Sequence, residues 1–323
     1  MNGRVYDYNL GRFLSVDPLI VNEANSQAIN PYSYVMNNPL KYHDPTGYAT
    51  EVKEEKIRSE AVTGSRIRKV VGTRTTTTTT DDVSGAVTKT EIKTTDMKGN
   101  YNGSSITYDN GKANSVTVSS GDKNGNSLSA TMDINSQGAI SKVSTISKSG
   151  ISVSKDDGPV LMFGFTEASG HSIHGKYHAF ALVADPQSNQ AHIVRGGPSM
   201  SVMGLAFSGS AGSAAAAKGE GGDQKLGGSG FGAIRAADGK FSNLTPFDQP
   251  HKTIGYQMLG KVNLPFSEVR SRMQSYSRGI NNRAIPYWPS GPNSNSFAFS
   301  FAESMGFSRP RPLLPSPGWD DKL

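Results

Sequence analysis

Tyr177-His-Ala-Phe-Ala-Leu-Val-Ala184, Asp185-Pro-Gln-Ser-Asn189 and Gln190-Ala-His-Ile-Val-Arg195 read as strand, turn and strand. Apolar runs of this length, bounded by Pro, Ser and Asn, suit a buried hairpin. Working outward, Val160-Leu-Met-Phe-Gly-Phe165 is another apolar run of strand length, and Thr253–Val262 is a further strand candidate. Ser267–Ile280 places Val269, Met273, Tyr276 and Ile280 on one helical face. A second helix is predicted from Asn295 to Met305, with Gly306 suited to the position past its end and Pro310 just beyond. The tail Arg309-Pro-Arg-Pro-Leu-Leu-Pro-Ser-Pro-Gly-Trp319 is too rich in proline for a helix and is predicted to lie along the surface. Gly196–Gly230, rich in Gly, Ala and Ser, reads as a flexible insertion. Strands and helices together predict a compact α+β domain over residues 158–323.

Residues 49–157 are a different kind of sequence. Glu51–Val71 is charged and predicts a short helix, and Thr75 to Thr80 is an unbroken threonine run. Thr is β-branched and favours extended backbone. Ser105-Ile-Thr-Tyr, Ser115-Val-Thr-Val and Ala139-Ile-Ser-Lys-Val-Ser alternate apolar with polar residues, separated by turn pairs such as Asn110-Gly111 and Asn124-Gly125. These features predict a Thr/Ser/Gly-rich β spacer of hairpins that bury little. A surface-binding module is the alternative.

Composition narrows the possibilities. The 323 residues are 35% apolar with a mean hydropathy of −0.45, and no run approaches a membrane span. The chain contains no cysteine, which excludes disulfides, Cys-ligated zinc and a thiolate nucleophile. The net charge of +6 is scattered over Lys53–Lys56, Arg66–Arg74 and Arg270–Arg283 rather than clustered, which argues against a nucleic-acid partner.

The first 48 residues carry turn chemistry at short spacing, with Tyr6, Tyr8, Phe13, Tyr32 and Tyr34 between the turns. Met1-Asn-Gly-Arg-Val-Tyr-Asp7, Leu10-Gly-Arg-Phe-Leu-Ser-Val-Asp17-Pro18, Asn30-Pro-Tyr-Ser-Tyr-Val-Met-Asn-Asn-Pro-Leu40 and Asp44-Pro-Thr-Gly-Tyr48 follow in order. Together they resemble the conserved terminal core of the RHS/YD-repeat family. The resemblance implies that residues 1–48 end a large β-shell and that the remainder is a variable C-terminal cargo, usually a toxin. It implies an upstream RHS β-shell and a cognate immunity protein as partners, and a chain secreted or delivered into a target cell as part of a larger RHS protein. Any export or loading module is then expected upstream. The family's core self-cleaves after its last Asp-Pro-x-Gly-x, which here implicates Asp17, Asp44 and Tyr48. Asp17-Pro-Leu-Ile lacks the family's glycine, and Tyr48 stands where leucine is usual.

Gly291-Pro-Asn293-Ser294-Asn295-Ser296-Phe297 opens the second helix. It resembles the Asn-Cys-Asn-Ser-Phe element of circularly permuted papain-like hydrolases, with Ser294 in the cysteine's place. In that family a histidine-bearing strand precedes the nucleophile helix, and here Tyr177-His178-Ala179-Phe180 precedes it. The resemblance implies a papain-like fold for residues 158–323, with Ser294 as nucleophile, His178 as base and amide or ester bonds as substrate. A first-turn nucleophile faces the positive end of the helix dipole and free N–H groups, but a serine, unlike a thiolate, depends on a well-placed base. Three readings stay open: an active serine, an inert serine in a disabled scaffold, or an N-cap cluster of Asn293, Asn295 and Ser296. His192 and Gln190 are candidates to orient His178.

Competing chemistry is weaker. His171, His174 and His178 lie within eight residues, but only Glu167 is near enough in sequence to complete a ligand set, so neither a metal nor a cofactor is expected. Arg195-Gly-Gly-Pro-Ser199 reads as a turn that could cradle an anion, more simply as a loop. A nuclease or nucleotide-modifying toxin using His171, His174 and Arg195 is the runner-up. A catalytically silent adhesion or structural tip is the third reading.

Overall fold

The computed structural model describes residues 5–16, 30–37, 50–58, 70–81, 86–156, 158–167, 177–198, 233–241, 253–288 and 292–323. At the N-terminal end β1 (Tyr6–Asp7) and β2 (Arg12–Phe13) form a two-residue ladder. Tyr6, Phe13 and Tyr34 cluster over it with ring centroids 4.8–5.9 Å apart.

An eight-stranded antiparallel meander follows: β3 (Thr50–Arg58), β4 (Val70–Thr80), β5 (Val87–Asp96), β6 (Tyr101–Asp109), β7 (Lys112–Gly121), β8 (Ser127–Ile134), β9 (Ile140–Ser149) and β10 (Ser152–Asp156), each beside its sequence neighbour. Its turns explain its regularity. Asp96, Asp122 and Asn135 each accept N–H bonds from residues two and four positions on, and Gly99, Gly125 and Gly138 supply the positive φ these turns need. Asn110-Gly111 joins β6 to β7 with φ of 49° and 73°, the pairing a two-residue hairpin favours.

The second sheet is five-stranded and antiparallel, in the order β14-β13-β12-β11-β15. Its strands are β11 (Val160–Glu167), β12 (Tyr177–Asp185), β13 (Gln190–Pro198), β14 (Ile234–Lys240) and β15 (Thr253–Lys261). Helices α1 (Phe266–Arg283) and α2 (Ser294–Ser304) complete the chain, before an irregular tail.

Two apolar layers bind these parts. Ile106, Val116, Val118, Met132 and Val143 of the meander pack against Val160, Met162, Phe180, Leu182, Ile193 and Met258 of the second sheet. The opposite face of that sheet, with Leu161, Phe163, Phe165, Ala181, Val183 and Val194, packs against Val269, Met273, Phe297, Phe301, Leu313 and Leu314. The middle sheet is thus covered on both faces, which is why Val160–Phe165 is apolar without alternation. Side chains also join the sheets at the outer edge of β15. Ser104 Oγ accepts the Tyr256 N–H at 2.8 Å, while Asn102 bonds the Met258 N–H and carbonyl at 2.9 and 2.7 Å.

This architecture corrects the predicted fold class. Of the described residues 54% lie in strands and 15% in helices, so the chain is mostly β and not the balanced α+β, papain-like fold expected for residues 158–323. The helix predicted over Glu51–Val71 is overturned at its two ends, where Thr50–Arg58 is a strand and β4 begins at Val70, while residues 59–69 lie outside the described residues. Pairing with the threonine strand outweighs the weak helix preference of a charged segment, and charges suit a strand at a sheet's edge. One face of the residue 86–156 hairpins lies in a core shared with residues 160–258, so these hairpins bury more than the spacer reading anticipated.

Candidate active site

The site forms where two strands part. Pairing between β12 and β13 runs from Asp185↔Gln190 to Ala181↔Val194. Beyond it the start of α2 takes the place of β13. Asn295 Oδ1 accepts the Ala179 N–H at 2.6 Å and its Nδ2 donates to the Tyr177 carbonyl at 3.1 Å, so one side-chain amide stands in for a strand. Gly196 permits the approach, since a Cβ there would lie 2.6 Å from Cγ of Phe297.

The first turn of α2 is assembled from consecutive polar residues. Asn293 is the N-cap: its Oδ1 accepts the N–H groups of Asn295 and Ser296 at 2.8 and 3.3 Å. Ser296 Oγ accepts the Asn293 N–H at 3.1 Å, closing a capping box. That hydroxyl also donates to the Gly318 carbonyl at 2.6 Å, and Nδ2 of Asn293 and of Asn295 donate to the Pro317 carbonyl at 3.0 and 2.8 Å. The proline-rich tail is thereby strapped across the helix start, and Tyr177 N–H to Pro315 O at 2.9 Å ties it to β12. Asn293, Asn295 and Ser296 are all buried, and each bonds main-chain groups.

Ser294 differs from its neighbours. Its Oγ lies 2.6 Å from His178 Nδ1, and Tyr287 lies near enough for Ser294 to influence its phenol. Tyr287 is buried, and that burial raises its phenol's pKa, opposed by the Ser294 contacts and the positive charge of Arg195. With His178 neutral and protonated on Nε2, the Ser294 O–H donates to His178 Nδ1. Ser294 is only 1% exposed, so its hydroxyl is closed over in this conformation, while His178 is half-buried.

The remaining sequence candidates are placed unevenly. Arg195, on β13, bears on the site through its positive charge near Tyr287. His192 pairs with Val183, five residues along β12 from His178 and so roughly 17 Å away at the usual strand rise. It sits against Phe266 with ring centroids 5.4 Å apart, so it cannot orient His178. Burial, then Arg270 and Lys240, lowers its pKa to about 4. Asp17, Asp44, Tyr48, His171 and His174 lie outside the described residues. Among the described residues no three His, Asp or Glu side chains gather as metal ligands would. No described helix is long and apolar enough to cross a membrane. Tyr287 was not foreseen; its only sequence signal is the Tyr287-Trp288 pair ahead of the turn into α2.

No family model, no curated protein and no solved structure matches this chain.

Proposed function

We propose that Ser294 and His178 form a nucleophile–base pair that hydrolyses amide or ester bonds, carried at the C-terminal end of an RHS-type toxin. The observation that carries the chemistry is the 2.6 Å approach of His178 Nδ1 to Ser294 Oγ at the first turn of a capped helix. Its three polar neighbours serve main-chain groups, whereas Ser294 Oγ meets an imidazole able to take its proton. The pairing does not depend on a papain-like fold, since the same chemistry recurs on unrelated scaffolds.

In the reaction Ser294 Oγ attacks the carbonyl carbon, a C–O bond forms, and the proton passes to His178 Nδ1. Collapse of the tetrahedral intermediate breaks the bond to the leaving group, which takes that proton. Water, deprotonated by His178, then releases the acid and restores the serine. The helix N-terminus favours the negative charge that develops. The toxin setting rests on the resemblance of residues 1–48, which also supports an upstream β-shell, an immunity partner and delivery into a target cell. A silent module is the second reading, favoured by the burial of Ser294.

The test is expression of the full chain in bacterial cytosol and, with an added leader, in the periplasm, as wild type, Ser294→Ala and His178→Ala. Loss of toxicity in both variants supports the pair. Toxicity unaffected by either substitution overturns it, and no toxicity from any form favours the silent module.

A further inference from the structure

Between the first two strands of the meander and the proline-rich tail lies a cleft of about 520 Å³, room enough for a small organic ligand. Arg74 stands in its wall. It is the only charged residue of β4 and sits two places from Thr76, the strand partner of Ile92, so it shares the face that carries Ile92 into the core. A charge placed there needs partners. Glu55, directly opposite on β3, accepts from Nη1 at 3.1 Å, and the Leu313 carbonyl of the tail accepts from Nε at 3.0 Å. The guanidinium is thus fixed from two sides, and the Arg74 side chain is 14% exposed. No described residue accepts from its Nη2.

The charge around the cleft leans the same way. Glu55 is shared, because Lys53 Nζ also lies 2.9 Å from its carboxylate. Lys56 and Arg311 line the cleft as well, and Asp320 is the other acidic residue of its wall. Lys53, Lys56, Arg74 and Arg311 therefore stand against the carboxylates of Glu55 and Asp320. Much of the remaining wall is apolar: Ile57, Leu314, the tail prolines and Trp319, whose ring is held against Phe299 with centroids 5.7 Å apart.

We propose that this cleft is a binding site for the C-terminal carboxylate of a peptide, with the carboxylate on Nη2 of Arg74 and the last side chains against Trp319 and the tail prolines. A guanidinium already fixed in place loses little freedom on binding, and its hydrogen bonds to a carboxylate are charge-assisted. An inorganic anion would use the charge and leave the apolar wall bare. A neutral apolar ligand would use the wall and leave Nη2 unanswered. A peptide acid uses both. The site does not depend on the chemistry of Ser294, although Pro317 and Gly318 of its wall are the residues that Asn293, Asn295 and Ser296 bond.

The test follows the fluorescence of Trp319 in the full chain carrying Trp288→Phe, which leaves Trp319 as the only tryptophan. The probes are N-acetyl-phenylalanyl-alanine with a free carboxylate, the same peptide as its C-terminal amide, and inorganic phosphate as competitor. The acid is expected to bind at least about tenfold more tightly than the amide, the usual worth of a hydrogen bond to a charged group. Arg74→Gln is expected to bring the acid down to the affinity of the amide and to leave the amide unchanged. Arg311→Gln keeps both bonds of Arg74 and is expected to weaken the acid by a smaller factor. It decides in place of Arg74→Gln if circular dichroism shows that variant unfolded. Equal binding of acid and amide, acid binding untouched by the deciding substitution, or no binding of either peptide overturns the proposal. Phosphate that displaces the acid at equal concentration also overturns it, because the apolar wall would then contribute nothing.

Discussion

Replacing Asn295 by alanine removes the amide that stands in for a strand beside β12. The side chain is 2% exposed and makes three main-chain bonds, to Ala179 N–H, Tyr177 O and Pro317 O. Pro317 O keeps Asn293 Nδ2 at 3.0 Å, so alanine leaves two buried groups without this partner: one N–H and one carbonyl. Each such loss costs about 1–3 kcal/mol. The better helix propensity of alanine returns about 0.5 kcal/mol, and the expected destabilisation is on the order of 3 kcal/mol. Asn295→Asp retains the acceptor but turns an anionic oxygen toward two carbonyl oxygens. The helix dipole offsets only about 0.3–1 kcal/mol of that penalty, so this variant is expected to lose at least as much. Urea unfolding followed by tryptophan fluorescence reads both, because Trp288 and Trp319 flank the network and are the chain's two tryptophans. An alanine variant within about 0.5 kcal/mol of wild type, the usual range of an inconsequential surface change, would refute the wedge argument.

Other consequences follow from the same contacts. His192 gives a pH dependence. Above its ordinary pKa of 6.5 it is neutral whether folded or not. Between 6.5 and about 4 the unfolded chain takes up a proton that the folded chain refuses, so stability falls as pH falls and the loss is complete below about 4. The total is on the order of 2–3 kcal/mol. Urea midpoints compared at pH 7.5 and 4.5 should show this loss in wild type and not in His192→Gln, and equal losses would contradict the assignment. Gly196→Ala drives a methyl group into Phe297 and is expected to cost about 1–3 kcal/mol. Its thermal midpoint would stay unchanged if β13 and α2 did not meet there. Arg309 donates to the Trp319 and Asp321 carbonyls at 2.6 and 2.7 Å and to Ser300 and Glu303 on α2. Arg309→Ala is expected to free the tail, making Trp319–Leu323 cleavable in limited proteolysis of the folded protein; an unaltered cleavage pattern would show that the tail is held elsewhere.

The parts legible in the sequence were those whose physics is local. Residues 160–165 and 177–195 announced themselves because a sheet covered on both faces needs apolar residues throughout. The ends of α2 were readable from Asn293 and Ser296 at its start and Gly306, with φ of 90°, after it. The fold class was not readable, because the meander hides its core contribution. Only alternate residues such as Ile106, Val116 and Val118 are buried, between hydroxyl side chains typical of exposed hairpins. Glu51–Arg58 was misread because its partner is a strand formed by residues 70–80, and pairing over that separation leaves no periodic mark. At the site, the order of His178 before Ser294 was visible. The amide of Asn295 substituting for β13 is a product of tertiary packing and has no spacing to find.

The claim that Ser294 and His178 act together is tested most directly by mapping where a fluorophosphonate attaches to the full chain. The account predicts one modified serine, Ser294, at a rate that vanishes in His178→Ala. Labelling spread over several serines, or at Ser294 but unchanged in His178→Ala, would contradict it.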